Sequence, residues 1–175
     1  MARMVALEKQ ELLALLKTAR ESSERDFLMI LTAYSHALRA SEVCSLKTDA
    51  VRDGFVTVQR LKGSLRTTQE LVENSELLLN ERAALSSWIA GKAKGERLFD
   101  IGRKQFFNVF RKHAEAAGIP AHKRHPHVLK HARAQAIIGK GIEVCRQYCG
   151  HRSIASTGEY LKISDEQACA AVAGC

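Results

Sequence analysis

An α+β fold, mostly α-helical with one small antiparallel hairpin or sheet, follows from three features of the chain. Apolar side chains recur every three to four residues through most of its length, the period of a helix with one buried face. Two short segments rich in β-forming residues flank Lys62-Gly63-Ser64, the pattern of a hairpin around a turn. The whole is 175 residues, 46% hydrophobic with two prolines, which suffices for one compact core and predicts a single domain over 1–175.

The elements follow in order. Residues 7–19 carry Leu12, Leu13, Leu15 and Leu16 at helical spacing, residues 26–38 are a second apolar-rich helix, and a third starts near Ser41 and ends before Asp49. The pattern then changes to strands over 54–60 and 65–71. Helical periodicity returns from Asn80, a capping residue, to residue 90, and again over 104–117. Pro120 and Pro126 bracket a basic connection, after which helices are expected over 127–138, 142–149, 153–161 and 165–172. Ser164 with Gln167 is a capping-box signal for the last.

Charge narrows the partners. Residues 1–100 hold 15 basic and 14 acidic side chains, whereas residues 101–175 hold 12 and 5. Six of the seven histidines (His113, His122, His125, His127, His131 and His151) fall in the same basic half. A polycation of this kind favours a polyanion such as nucleic acid. His113, His122 and His125 are expected to contact phosphate or face solvent, and Trp88 is assigned to the core. No apolar run of about 18 residues is present to span a bilayer, and the start lacks the apolar core of a secretory signal, so a cytoplasmic protein without membrane contact is expected. Cys44, Cys145, Cys149, Cys169 and Cys175 are then reduced thiols.

Phosphate-binding glycine loops, H-E-x-x-H and magnesium-type carboxylate clusters are absent from the sequence. The remaining candidates are Arg39, Lys62, His127 with Lys130, His151 and Tyr160. Alone, Arg39 reads as an ordinary partner of Glu42, and Tyr160 as a half-buried helical tyrosine. In order along the chain they say more. Ala37-Leu38-Arg39-Ala40-Ser41-Glu42-Val43, Lys62-Gly63, Pro126-His127-Val128-Leu129-Lys130-His131, and Cys149-Gly150-His151-Arg152-Ser153-Ile154 with Thr157 and Tyr160 together resemble the four boxes of the tyrosine recombinase, or phage integrase, family. The resemblance runs from about Leu7 to Val172 and is most specific in the final box, where His151 and Tyr160 are nine apart.

The resemblance implies that family's catalytic-domain fold and cleavage of DNA through a covalent 3′-phosphotyrosyl link, with no metal or other cofactor. Arg39 would clamp two phosphate oxygens with its planar fork and Tyr160 would be the nucleophile. His127 would take the phenolic proton or bridge to the phosphate, and His151 would donate to a nonbridging oxygen. Lys62 would protonate the departing 5′-oxygen, with Arg60 or Arg66 as alternatives for the groove, and Glu42 would orient Arg39. Arg103, Lys104, Arg111, Lys112, Lys123, Arg124 and Arg152 are the expected contacts to double-stranded DNA. The family would assemble as tetramers on DNA through the segment 163–175, whose bland alternative is a helix folded onto its own core.

The sequence departs from the family pattern twice. Lys130 stands where the family has its second arginine, and an ammonium cannot make a forked contact. A lost donor in a preorganised anion site costs about 2.7 to 4 kcal/mol, so slowed catalysis is expected. The chain also starts almost where the catalytic domain should, as in the minimal, fimbrial-switch type of recombinase or a fragment. The competing reading is a catalytically weakened DNA-binding accessory module of the same fold.

Overall fold

The computed structural model describes residues 5–61, 65–158 and 160. Lys62, Cys169, Cys175, the helix expected over 165–172 and its capping box lie outside the described residues.

The core is organised around one helix. α2 (Glu24–Ser35) runs through the middle of the molecule with Phe27, Leu28, Met29, Ile30 and Leu31 fully buried, as expected of a helix apolar on all sides. Around it pack α1 (Lys9–Ser22), α3 (Ala40–Ser45), α4 (Glu81–Ala90), α5 (Arg103–Ala116) and α6 (His127–Ile138). α1 contributes Leu12, Leu15, Leu16 and Ala19, and α5 contributes Phe106, Phe110 and Ala114. Two short helices follow, α7 (Ile142–Tyr148) and α8 (Ala155–Gly158).

The sheet has three antiparallel strands in the order β1 (Val51–Arg52), β2 (Phe55–Val58), β3 (Thr67–Glu70). Val56 pairs with Gln69 and Val58 with Thr67, and all four side chains are buried. β1 was not foreseen, although Asp53-Gly54 signals the turn into β2. Both residues have positive φ, 51° and 80°, the conformation a two-residue hairpin loop requires.

Three further expectations are corrected. The second helix does not reach residue 38: it ends at Ser35, and Ala37 turns left-handed at φ 51°. The Leu38 amide donates to the Ala33 carbonyl at 2.8 Å, closing a Schellman turn with alanine where glycine is usual. The helix expected over 153–161 is only the single turn of α8 where described. His113 faces neither solvent nor phosphate; it is buried at 2.9 Å from the Asp26 carboxylate, joining α5 to α2. It lies seven residues after Phe106 and three after Phe110, on the face of α5 that the core requires.

Asn80 precedes α4 but its side chain makes no capping hydrogen bond. Glu81, buried in the first turn, accepts from the Val72 amide at 3.2 Å and lies 2.8 Å from His36 Nε2. Trp88 is half-buried against the core with its indole donating to the Leu98 carbonyl. Cys44, Cys145 and Cys149 are buried free thiols. No helix among the described residues is long and apolar enough to cross a membrane.

Candidate active site

The corner between α2 and α3 positions Arg39. After the left-handed turn at Ala37 the chain re-enters a helix with Arg39 at the N-cap, and Glu42, three residues on, reaches back. Its carboxylate accepts from the Arg39 amide at 2.8 Å and from the Arg39 guanidinium at 2.8 Å; the first bond is the half of a capping box in which the third helical residue satisfies the N-cap amide. Glu42 also accepts from the Leu61 amide and from Arg60, both at 3.3 Å. Burial raises its pKa, yet the Arg39 amide and the Arg60 charge outweigh that and hold it below the usual carboxylate range.

Arg60, offered with Arg66 as an alternative to Lys62 for the groove, lies elsewhere. It is not available to a DNA groove: its guanidinium is buried and donates to the carbonyls of Ala37, His36 and Tyr148 at 3.0, 2.9 and 3.1 Å, and to Thr67 Oγ1 at 3.1 Å. It therefore ties the hairpin to the Arg39 corner and to the end of α7. The signal was present, because Val56, Val58 and Arg60 alternate along one strand and so share the inward face. Arg66, the other alternative, is exposed.

α6 carries the next group. Lys130 is 2% exposed and its Nζ donates to the Cys149 carbonyl at 2.9 Å. Burial and the neighbouring Arg39 and Arg60 push its pKa down to about 8. His127 is exposed in the first turn, its ring edge-on to His131 with centroids 4.2 Å apart. Loss of hydration, with Lys130, His125 and Arg39, lowers its pKa. Arg133 points away, against Tyr34 and Tyr148.

Beyond α7, His151 is buried with Nδ1 3.0 Å from Thr157 Oγ1. Burial, Lys130 and Arg39 push its pKa down to about 4. Tyr160 is half-buried on Ala37, Ala134, Cys145 and Cys149. Its ring stacks parallel to His151 at 6.3 Å, and its hydroxyl lies 2.8 Å from His131 Nδ1. Burial and the two thiols raise the phenol pKa, while Arg39 pulls it down. The charge of Arg39 is thus felt at Lys130, His127, His151 and Tyr160 alike.

Five sequence-selected residues, Arg39, His127, Lys130, His151 and Tyr160, converge in this way, while Lys62 lies outside the described residues. The convergence is a cationic pocket with a phenol at its edge, suited to binding a phosphate and presenting an oxygen nucleophile to it. Among the surface cations, Arg103, Lys104, Arg111, Lys112 and Arg152 are exposed. Lys123 is bound to Glu11 at 2.8 Å and Arg124 to Glu115 at 2.8 Å. His131, the last residue of the third box and given no chemical role there, is the histidine on the phenol.

The model of the phage integrase family matches residues 6–167. Tyrosine recombinase XerA of Pyrococcus furiosus is 26% identical over 167 residues, which cover 91% of this chain and 57% of that protein. Type 1 fimbriae regulatory protein FimB of Escherichia coli K12 is 28% identical over 168 residues, covering 88% of this chain and 82% of that protein. A crystal structure of a lambda integrase dimer bound to a COC′ core site matches 93% of this chain and 49% of its own with a TM-score of 0.75. At 15% identity that likeness establishes the fold, a recombinase catalytic domain.

Proposed function

Because the chain belongs to the phage integrase family, we propose that it is a site-specific DNA recombinase, cutting and rejoining strands through a 3′-phosphotyrosyl link at Tyr160. The observation that carries this reading is the placement of the Tyr160 hydroxyl at the rim of the pocket shared by Arg39, Lys130, His127 and His151.

A phosphodiester resists attack because its oxygens are negative, so the pocket must supply cationic donors before the nucleophile engages. Arg39, oriented by Glu42, grips two oxygens; Lys130 adds a point charge beneath them; His127 bridges to the phosphate from the exposed rim. If Thr157 donates to His151 Nδ1, the other ring nitrogen keeps its hydrogen and donates to a nonbridging oxygen. Lys62 protonates the departing 5′-oxygen. The phosphotyrosyl link conserves the bond energy for rejoining, so the step itself calls for neither metal nor nucleotide. Residues 1–175 act as one catalytic domain in the cytoplasm on double-stranded DNA, with Arg103, Lys104, Arg111, Lys112 and Arg152 on the backbone and Lys123 and Arg124 joining them only by exchanging their carboxylate partners. Assembly into tetramers runs through the segment 163–175, which lies outside the described residues.

A second reading, a DNA-binding accessory module, is favoured by one observation: the Lys130 ammonium is already engaged by the Cys149 carbonyl. One experiment separates the two. Duplexes selected for binding to the protein are nicked beside each candidate scissile phosphate, and adducts are resolved on a denaturing gel. The recombinase forms a covalent adduct that Tyr160→Phe abolishes without loss of duplex binding. A shifted duplex with no adduct from the wild-type protein establishes the accessory module instead.

A further inference from the structure

We propose that His131 is the base that takes the phenolic proton from Tyr160 as the strand is cut and returns it as the strand is rejoined. This rests on the recombinase reading above and assigns a further catalytic residue to it, one in contact with the attacking oxygen.

The geometry selects His131 from three nearby histidines. Its Nδ1 is 2.8 Å from the Tyr160 hydroxyl, within hydrogen-bond reach for proton transfer. The His151 ring lies parallel to the Tyr160 ring with centroids 6.3 Å apart, the relation of a stacked pair rather than a hydrogen-bonded one, and its Nδ1 is engaged by Thr157. His127 meets the edge of His131 rather than the tyrosine, which leaves it at the rim to face the phosphate.

The surroundings keep His131 ready to accept. Burial comes first, and the groups that face it all carry or can acquire positive charge: His127 and Lys130 from α6, His125 from the preceding turn and His151 from the chain beyond α7. Together they push its pKa down to about 4, so the ring is neutral at physiological pH. In the tautomer with hydrogen on Nε2, the Nδ1 lone pair accepts from the phenol. The step balances as follows. Tyr160 Oη forms a bond to phosphorus while the bond from phosphorus to the 5′-oxygen breaks; the phenolic proton passes to Nδ1, giving an imidazolium; and the 5′-oxygen takes its proton from Lys62. Rejoining reverses each transfer. With the phenol raised and the imidazole lowered, no tyrosinate forms beforehand, and the proton moves as the oxygen bonds to phosphorus. An incoming phosphate beside Lys130 and His127 offsets their charge and strengthens His131 as a base at the moment it is needed.

The test is single-turnover cleavage of the nicked duplex by His131→Ala and His131→Asn, each made in the 175-residue chain. Asparagine keeps an acceptor near Nδ1 but cannot be protonated. General-base loss predicts an adduct rate lower by about 100-fold in both, with duplex affinity unchanged. Added imidazole is expected to restore His131→Ala by about tenfold or more, following the neutral form of imidazole with pH, a recovery that a packing defect does not show. His131→Asn cleaving within about threefold of the wild-type rate, or both variants slow with no imidazole recovery, overturns the proposal. Failure of the underlying reading looks different: the wild-type protein then gives no Tyr160-dependent adduct at all.

Discussion

At Lys130 an ammonium sits where it is 2% exposed, surrounded by Arg39 and Arg60, with the Cys149 carbonyl as its hydrogen-bond acceptor. Its pKa of about 8 means that the positive charge is present below that pH and disappears above it. Cleavage measured as kcat/KM is therefore expected to decline above about pH 8, whereas Lys130→Arg removes that limb because a guanidinium does not titrate there. Stability runs the other way. Between about 8 and the ordinary lysine value of 10.5 the unfolded chain binds the extra proton, so resistance to urea rises with pH across that window in the wild type and not in the arginine variant. The arginine variant should also form adduct faster, by up to about 100-fold, because a missing forked donor in an anion site is worth that much. An unchanged rate shows a pocket rebuilt around lysine. The boxes made Arg39, His127, Lys130, His151 and Tyr160 legible in the sequence, since their residue types and order are specific. His131 was not legible as a partner of Tyr160, because a contact across 29 residues depends on how α6 and the last turn meet.

Between elements, Arg60 is the tie. Its side chain has no exposed surface, lies 3.3 Å from the buried Glu42 carboxylate, and reaches three carbonyls from the α2–α3 corner and α7. Arg60→Met leaves Glu42 buried with less compensation and the carbonyls without donors, which predicts a loss of about 3–5 kcal/mol in urea unfolding. A loss below about 1 kcal/mol shows that water or Arg39 replaces it. Most helices were readable because their apolar faces repeat with the right period. The corner at Ala37 was not, since the apolar pattern runs on through Leu38 and no glycine marks the left-handed residue. β1 escaped because two residues carry no period.

Over the whole molecule the charge is unevenly shared, with an excess of one positive charge in residues 1–100 and seven in residues 101–175. Arg103, in the first turn of α5, and Arg111, two turns on, are both exposed. If both meet phosphates, Arg103→Ala with Arg111→Ala lowers the salt dependence of duplex binding by about 2 in the logarithmic slope, near 0.9 per contact. The urea midpoint should not move, because neither side chain is in the core. An unaltered slope would place the duplex on another face. One of the places where the two regions of unequal charge touch is Gly150, whose φ is 65°. A β-carbon there would stand 2.9 Å from Arg60 Cγ and 3.1 Å from the Leu65 carbonyl, and the Leu65 amide already donates to the Gly150 carbonyl at 3.2 Å. One absent methyl group is thus what lets the segment leading to Tyr160 nest against the hairpin stem, so drift at this codon is barred by crowding before chemistry is ever consulted.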